Sequence, residues 1–338
     1  MRTLEQLEQV MAKPSARLIE DMKNLEGDIM LLGVGGKMGP SLAKLIMNAL
    51  KEAGVEKTVY GVSRFSEAGL KDELEAYGLK TIACDLLDEA SLQALPEVKN
   101  VIYMAGTKFG TTGREYFTWA MNAYLPGRVA EKFKNSRIVV FSSGNVYPHS
   151  PVALGGTSEA VTPNPVGEYG QSCLGRERVF EYFSHRYETP VLIYRLNYAI
   201  DMRYGVLLEL AKSVKEGKPI ELAMGHFNCI WQGDANEIAI RSLLHCESPA
   251  NKLNVTGPET ISVRYAATEL GKRLGIEPKF TGQEAETALL SNASKCMQLF
   301  GYPSVSLLQM IDWMAEWVEH EGVTINKPTH FQQREGKY

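Results

Sequence analysis

The sequence predicts an α/β fold, in which a doubly wound parallel sheet is joined to a smaller C-terminal α/β lobe. Over residues 28–197, short apolar segments that suit buried strands alternate with amphipathic segments of helical period. This alternation is typical of a parallel sheet with helices on both faces. A glycine-rich turn also follows the first apolar segment directly, as at a strand-to-helix connection. Both features place the chain in the α/β class.

The elements of this sheet can be assigned in order along the chain. Residues 1–27 come first and are expected to form a helical extension, interrupted near Pro14. Apolar runs predict strands at 28–34, 58–63, 81–84, 100–106, 137–143 and 190–197. Helical spacing predicts helices at 40–54, 73–78 and 119–133, and another after Tyr169. Right-handed crossovers then wind the chain to both sides of the first strand.

The composition is that of an ordinary globular protein. Its 338 residues are 44% hydrophobic, which suffices for one large core or two joined lobes. Lys and Arg number 36 against 40 Asp and Glu, and this net charge of −4 argues against a nucleic-acid partner. No apolar run approaches the roughly 20 residues that span a bilayer, and the N-terminal segment has no apolar signal core. We expect a cytoplasmic protein without a membrane partner.

The cysteines and histidines form no metal-binding pattern. The five cysteines are scattered and contain no CxxC pair, and the six histidines contain no HExxH pair. We therefore expect a reducing compartment, no disulfide framework and no metal.

The glycine-rich turn is the segment GVGGKMG, residues 33–39. Its glycines Gly33, Gly36 and Gly39 stand three apart, with Lys37 and Met38 between the last two. Glycines let the backbone approach a pyrophosphate, and the start of the following helix offers free N–H groups to it. This turn therefore predicts a dinucleotide site. Residues 28–197 would form the dinucleotide-binding domain, and residues 198–338 a smaller substrate-binding lobe and tail that interleaves with it.

The end of the second strand bears on the choice of cofactor. An acidic residue there would bind the 2′-hydroxyl of the NAD ribose, but the sequence has Ser63 and Arg64 instead. A guanidinium suits the 2′-phosphate of NADP, and Lys37 would add a second positive charge. We therefore expect NADP(H) rather than NAD(H).

Several further motifs have the same order and spacing as those of one known family. They are the glycine turn and the segments CDLLDEASL (84–92), YMAG (103–106), FSSGNVY (141–147) and PNPVGEYGQS (163–172). Over about residues 28–320 the chain resembles the extended short-chain dehydrogenases/reductases of the NAD-dependent epimerase/dehydratase type. The resemblance implies a Rossmann-like fold and, as a family expectation, a homodimer.

The resemblance also implies roles for individual residues. Beyond Ser63 and Arg64, the implied cofactor contacts are the glycine-turn residues, Asp85, Leu86, Met104, Ala105, Gly106, Asn122 and Tyr169. The implied catalytic pair is Ser143 and Tyr169. Substrate contacts are expected from Lys108, Ser143, Asn145, Asn197 and Arg203.

The sequence departs from the family pattern at the reaction centre. The family's Tyr-x-x-x-Lys reads Tyr169-Gly-Gln-Ser-Cys173 here. In addition, Asn197 follows Arg195 by two residues instead of three, and the usual Gly-Pro after it is Asp201-Met202. The first departure puts catalysis in question, and the others put nucleotide-sugar binding in question.

The missing lysine matters because a phenol with a pKa near 10 needs a nearby cation to act as a base at neutral pH. Arg176, seven residues after Tyr169 on the same helical face, and Lys108, after the fourth strand, are the candidate replacements. Cys173 itself could be a small packing residue, a reactive thiolate, or a sign of a disused site.

These features predict an NAD(P)-dependent oxidoreductase or epimerase acting on a sugar, sugar acid or sugar derivative. Tyr169 would be the acid/base and Ser143 the hydrogen-bond donor. The missing lysine supports one alternative, a catalytically atypical or inactive NAD(P)-binding sensor or scaffold.

Overall fold

The computed structural model describes residues 1–108, 112–327 and 329–336. Its longer strands are β1 (Ile29–Leu32), β2 (Val59–Ser63), β3 (Lys80–Ala83), β4 (Asn100–Tyr103), β5 (Arg137–Ser143), β7 (Val191–Leu196) and β12 (Asn251–Val255). Shorter strands are β6 (Ser150–Pro151), β8 (Ala199–Ile200), β9 (Pro219–Glu221), β10 (His226–Phe227), β11 (Ile230–Trp231), β13 (Ile261–Ser262), β14 (Lys279–Thr281) and β15 (Thr287–Ala288).

The helices cover both faces of the sheet and build the second lobe. They are α1 (Leu4–Met11), α2 (Ala16–Asn24), α3 (Gly39–Ala53), α4 (Leu70–Ala76), α5 (Glu89–Gln93), α6 (Glu115–Trp119), α7 (Leu125–Lys132), α8 (Gly167–Tyr187), α9 (Val206–Lys215), α10 (Gln232–Arg241), α11 (Val263–Leu274), α12 (Ser294–Phe300) and α13 (Leu307–Glu319). Among the described residues, none of these helices combines the length and apolarity needed to cross a membrane.

The predicted doubly wound sheet is confirmed. In the described chain, seven strands lie in the order β3-β2-β1-β4-β5-β7-β12, and every neighbouring pair is parallel. The winding direction reverses between β1 and β4, and ligands of such sheets bind in the crevice at this point, outside the carboxyl ends of the strands. The crevice is therefore bordered by the glycine turn after β1 and by the segments after β4, β5 and β7.

One strand of the sheet comes from an unexpected part of the chain. β12 pairs along β7, from Asn251 opposite Leu192 to Val255 opposite Leu196. Sequence periodicity placed this segment among the short strands of the C-terminal lobe. Because β12 returns to the sheet after that lobe has begun, the two predicted domains share residues of one core.

The N-terminal extension consists of α1 and α2, with the break near Pro14 that the sequence predicts. Leu18 and Met22 of α2 are buried in the core that covers one face of the sheet. The ammonium of Lys44 on α3 forms ion pairs with Glu8 and Glu73 at 3.0 and 2.6 Å. The extension is thereby fixed to the helix that follows the glycine turn.

Candidate active site

A cavity of about 300 Å³ lies at the carboxyl ends of β1, β4, β5 and β7. It is lined by the glycine turn, the loop after β4, the end of β5, the start of α8 and the segment after β7. Of the predicted site residues, it brings together Gly33, Gly36, Lys37, Met38, Gly39, Met104, Gly106, Lys108, Ser143, Asn145, Tyr169, Arg176 and Asn197.

The glycine turn has the geometry of a nucleotide cradle. Gly33 has φ +94°, and a Cβ on it would stand 2.8 Å from the Ala105 backbone nitrogen. A Cβ on Gly39 would stand 2.0 Å from the Val34 carbonyl oxygen, whereas Gly36 has only its own turn beside it. There is thus no room for a side chain at Gly33 or Gly39. At Gly36 the backbone stays accessible to a ligand. The start of α3 therefore suits a dinucleotide pyrophosphate.

The residues predicted to contact the adenosine half lie at the ends of β2 and β3. The Ser63 hydroxyl accepts a hydrogen bond from the Phe65 N–H at 3.3 Å, and the Arg64 side chain is exposed. The Asp85 carboxylate accepts the Leu87 N–H at 3.0 Å. These residues lie outside the cavity of the reaction centre, so their contacts with adenosine stay a prediction.

The Lys37 side chain does not point toward Arg64. Its ammonium donates to the Ala199 carbonyl oxygen at 3.1 Å and lies 4.1 Å from the centroid of the Tyr204 ring. Both partners follow β7, and β7 and β2 lie on opposite sides of β1 in the sheet. The expectation of a second positive charge beside a 2′-phosphate is therefore wrong.

Tyr169 approaches Ser143 because Gly170 lacks a side chain. A Cβ on Gly170 would stand 2.6 Å from the Asn145 carbonyl oxygen, so α8 can begin close to the end of β5. The Tyr169 hydroxyl hydrogen-bonds with the hydroxyl of Ser143 and the thiol of Cys173. Ser143 in turn donates to the Asn145 side-chain oxygen at 2.9 Å and accepts the Asn145 N–H at 3.1 Å.

This environment keeps the Tyr169 phenol neutral. Burial raises its pKa well above the usual value of 10, and the Cys173 thiol raises it further. The charge of Arg176 and the hydrogen bond with Ser143 act in the opposite direction but do not offset burial. A neutral phenol can donate a proton, whereas its use as a base requires additional positive charge.

Cys173 is fully buried beside Tyr169, one helical turn along α8. It packs with Val146, Tyr147 and Leu174. Burial raises the pKa of its thiol, although Arg176 partly opposes this shift. This environment favours a packing residue over a reactive thiolate.

Lys108 is a cation that lies over the ring of Tyr169. Its ammonium lies 5.6 Å from the centroid of the Tyr169 ring and lines the same cavity. Burial lowers the pKa of Lys108 to about 8, so it is mostly charged at neutral pH. Its charge also lowers the pKa of the Cys173 thiol.

Arg176 stands on the protein side of the cavity. Its guanidinium donates to the Phe141 carbonyl oxygen at 2.7 Å and to the Asn122 side-chain oxygen at 2.8 Å. Its terminal nitrogen also lies directly behind Gly106, where a Cβ would be 2.4 Å away. Arg176 therefore supports the loop after β4, and from this position its charge also lowers the pKa of Tyr169.

Asn122 fixes the position of the same loop. Its side chain accepts the Thr107 N–H at 2.9 Å, and donates to the Thr107 carbonyl oxygen at 2.8 Å and the Ser172 hydroxyl at 3.0 Å. Asn122 lies in a π-helical turn, residues 120–124, just before Pro126. Such turns occur often at functional sites, and proline disfavours the regular α-helical bond at this point. The loop that carries Lys108 is thus fixed through its neighbour.

Replacing Asn122 with alanine is expected to lower the free energy of unfolding by about 1–3 kcal/mol, because both Thr107 backbone groups lose a buried partner. Urea denaturation would measure the change. Asn24→Ala, at an exposed asparagine on α2, is the matched control and should change stability far less. Equal stability of the Asn122 and Asn24 variants would contradict this role.

A buried ion pair joins the strands and the helix beneath the site. The Arg195 guanidinium on β7 pairs with Glu177 on α8, with N–O distances of 2.9 and 2.6 Å. Glu177 also accepts the Ser142 hydroxyl at 2.5 Å, and Arg195 donates to the Tyr147 hydroxyl at 2.6 Å. This network fixes α8 relative to β5 and β7, and hence Tyr169 relative to Ser143.

Two residues with predicted substrate roles have partners within the protein. The Asn197 amide lines the cavity but donates to Asn228 at 2.7 Å. The Arg203 guanidinium forms a two-pronged ion pair with Asp201, with its closest contact at 2.7 Å, and does not line the cavity. Sequence reasoning missed Tyr204, Ala199 and Thr329, which do line it, because no motif distinguishes them.

No protein-family model and no curated protein matches the chain. Solved structures do share its fold. UDP-glucuronic acid 4-epimerase from Bacillus cereus, in complex with UDP-glucuronic acid and NAD, is 19% identical with a TM-score of 0.69, over 87% of this chain and 99% of that one. UDP-glucose 4-epimerase from Thermus thermophilus, in complex with NAD, is 17% identical with a TM-score of 0.69, over 86% and 98%. At these identities the similarity establishes the fold.

The comparison also corrects the expected cofactor preference. Structures with this fold were determined with NAD, including both epimerases above. The expectation of NADP(H) is therefore wrong. The expectation of NADP(H) depended on two cations, Lys37 and Arg64. Lys37 points to the other side of the crevice, and the remaining cation, Arg64, has an exposed side chain.

Proposed function

We propose that the chain is an NAD-dependent enzyme that oxidises and reduces a secondary alcohol of a sugar or sugar derivative, as an epimerase or oxidoreductase. The observation that carries this proposal is the convergence of Ser143, Tyr169 and Lys108 beside the glycine turn. The solved epimerases of the same fold support it, since one is in complex with UDP-glucuronic acid and NAD and the other, a UDP-glucose 4-epimerase, is in complex with NAD.

When bound, the nicotinamide would supply the hydride donor or acceptor. Tyr169 gives its proton to the substrate oxygen during reduction and takes it back during oxidation. Ser143 would turn its single hydroxyl proton from the Asn145 side-chain oxygen to the substrate oxygen and stabilise it as its charge changes, while the Asn145 N–H still holds the Ser143 oxygen. Gly33, Gly36 and Gly39 leave room for the pyrophosphate.

Lys108 takes the electrostatic part of the missing lysine's role. Its ammonium lies 5.6 Å from the centroid of the Tyr169 ring, and a positive charge at this distance would favour the phenolate, which burial disfavours. Arg176 adds a second positive charge that lowers the pKa of Tyr169, and it supports the loop. Cys173 fills the space beside Tyr169 without supplying charge.

The test is incubation of the NAD-loaded protein with sugars, sugar acids and sugar derivatives, including UDP-sugars. Products would be detected by NMR as well as by NADH absorbance, because an epimerase returns its hydride and shows no net absorbance change. We expect a stereochemical or redox change in at least one class. If no product forms across the panel, the proposal fails.

The protein is expected to bind NAD at least about tenfold more tightly than NADP. The 2′-phosphate of NADP would lose water on binding, and the exposed Arg64 would offset little of this cost. Tryptophan fluorescence or calorimetric titration would measure both dissociation constants. Arg64→Ala should leave the NAD affinity almost unchanged. Tighter binding of NADP would contradict the assignment.

A further inference from the structure

Lys37 is a cation of the glycine turn that projects across the crevice. Its ammonium donates to the Ala199 carbonyl oxygen and lies over the Tyr204 ring, while its side chain lines the same cavity as Tyr169 and Lys108. Within the described ranges, no carboxylate lies within ion-pair distance of the Lys37 ammonium. A partly buried lysine with a carbonyl and a ring for neighbours is a site that an anion would stabilise.

Two cations and one carboxylate act on Lys37, while Glu209 acts on Lys108. The acidic group that acts on Lys37 is Asp201, but this carboxylate is engaged by Arg203. The other charges that act on Lys37 are the cations Arg203 and Lys108. Burial lowers the pKa of Lys37 to about 7 and that of Lys108 to about 8. An incoming anion would favour the charged form of both lysines.

The C-terminal tail limits the size of the space beside them. The Ile325 N–H donates to the Arg203 carbonyl oxygen at 3.0 Å, and the Thr329 hydroxyl donates to Glu209 on α9 at 2.8 Å. Further on, Gly336 packs against the start of α8, where a Cβ on Gly167 would stand 2.4 Å from the Gly336 carbonyl oxygen. The tail therefore runs from the segment after β7 to the helix of Tyr169.

The tail is firmly attached along this course. Phe331 is buried in the core of the second lobe. The Arg334 guanidinium donates to the Thr287 carbonyl and hydroxyl oxygens at 2.8 and 2.7 Å. Thr329 itself lines the cavity. The tail thus lies along one side of the crevice. The whole cavity, which the reacting end of the cofactor would share with the substrate, is about 300 Å³, at the lower end of the range for small-molecule sites.

We propose that the substrate is an acid of monosaccharide size, whose carboxylate or phosphate is bound by Lys37, rather than a nucleotide-linked sugar. This inference rests on the proposed function and specifies its substrate class. Lys37 would bind the anionic group, while Tyr169 and Ser143 act on a hydroxyl of the same molecule.

The pyrophosphate of the cofactor is a second source of anionic charge near this turn. A pyrophosphate at the start of α3 would be met by the N–H groups of Lys37 and Met38, because those of Gly36 and Gly39 donate to carbonyls within the turn. The Lys37 side chain, however, reaches the Ala199 carbonyl and the Tyr204 ring on the far side, after β7. We therefore assign Lys37 to the substrate.

The test measures binding to the NAD-saturated protein by calorimetry at about pH 6.5, where Lys37 is mostly charged. Glucuronate, gluconate and glucose 6-phosphate are the acidic probes, glucose is the neutral probe, and UDP-glucose is the nucleotide-linked probe. We expect at least one acid to bind about tenfold or more tightly than glucose and UDP-glucose, as one charge-assisted hydrogen bond allows.

Lys37→Met is expected to remove this preference for acids and to leave the NAD dissociation constant close to that of the unaltered protein. Lys51→Met, at an exposed lysine later in α3, is the matched control and should keep the preference. The preference should also weaken as the pH rises through 7, because Lys37 then loses its charge.

Four outcomes would overturn the inference. If Lys37→Met weakens NAD and leaves acid binding intact, the lysine binds the cofactor's pyrophosphate. If UDP-glucose binds more tightly than every acid, or the acids bind no better than glucose, the substrate class is wrong. Because binding is measured without turnover, the two proposals can fail separately. If acids bind through Lys37 but no reaction occurs, only the proposed function is rejected. Turnover of a neutral sugar independent of Lys37 would reject this inference alone.

Discussion

Substituting Tyr169 with phenylalanine is expected to lower kcat by a factor of about 100 to 10,000, the range for a positioned general acid or base. Phenylalanine fills the same space beside Cys173 but has no proton to exchange with the substrate oxygen. The affinity for NAD should change little, since the glycine turn is unaltered. Stopped-flow single turnover with a reactive substrate would measure the chemical step separately from product release.

The matched control is Tyr116→Phe, at a tyrosine that is 75% exposed on α6. It removes the same hydroxyl away from the cavity and should retain full activity. Ser143→Ala should show a smaller loss than Tyr169→Phe, because it removes a hydrogen bond and not the proton donor. A Tyr169→Phe variant as active as the Tyr116→Phe variant would exclude the acid/base role.

The sheet was largely predictable because each strand is marked by a local feature of the sequence. Each of the six expected strands is a short apolar run between a helix and a turn, and neighbouring strands of such folds pair through short crossovers. β12 was not predicted as a sheet strand, because its pairing with β7 depends on contacts across roughly sixty residues of intervening chain. Periodicity identifies a strand but does not specify its partner.

The site was predictable to the extent that it depends on helical spacing and motif order. Tyr169 and Cys173 stand four residues apart, so their contact follows from one helical turn. The direction of a long side chain does not follow in this way. Lys37 lies in the glycine turn, and only the position of Tyr204 and Ala199 decides that it crosses the crevice.

The same limit applies to the two candidate replacements for the missing lysine. The sequence places both Arg176 and Lys108 near Tyr169, but it does not give their hydrogen-bond partners. Arg176 is engaged by Phe141 and Asn122 on the protein side. Lys108 faces the ring of Tyr169 in the cavity. We therefore expect the larger effect on the chemistry from Lys108.

Replacing Lys108 with methionine is expected to lower the rate of alcohol oxidation at about pH 7 by a factor of about ten to a thousand, because a nearby cation shifts a pKa by one to three units. Methionine keeps the length of the side chain without its charge. Lys108→Arg restores a positive charge and should recover part of the rate. Lys13→Met, at an exposed lysine of the N-terminal extension, is the control for loss of a lysine elsewhere.

The pH profile distinguishes an electrostatic role of Lys108 from a structural one. Oxidation needs the phenolate of Tyr169, so removing the cation should move the rising limb of the oxidation rate to higher pH. The unaltered protein should lose part of this assistance above about pH 8, where Lys108 itself loses its proton. A uniform loss of rate at every pH, with no recovery in Lys108→Arg, would instead indicate that Lys108 only shapes the cavity. The profile therefore decides whether a lysine from the loop after β4 compensates for the cysteine on α8.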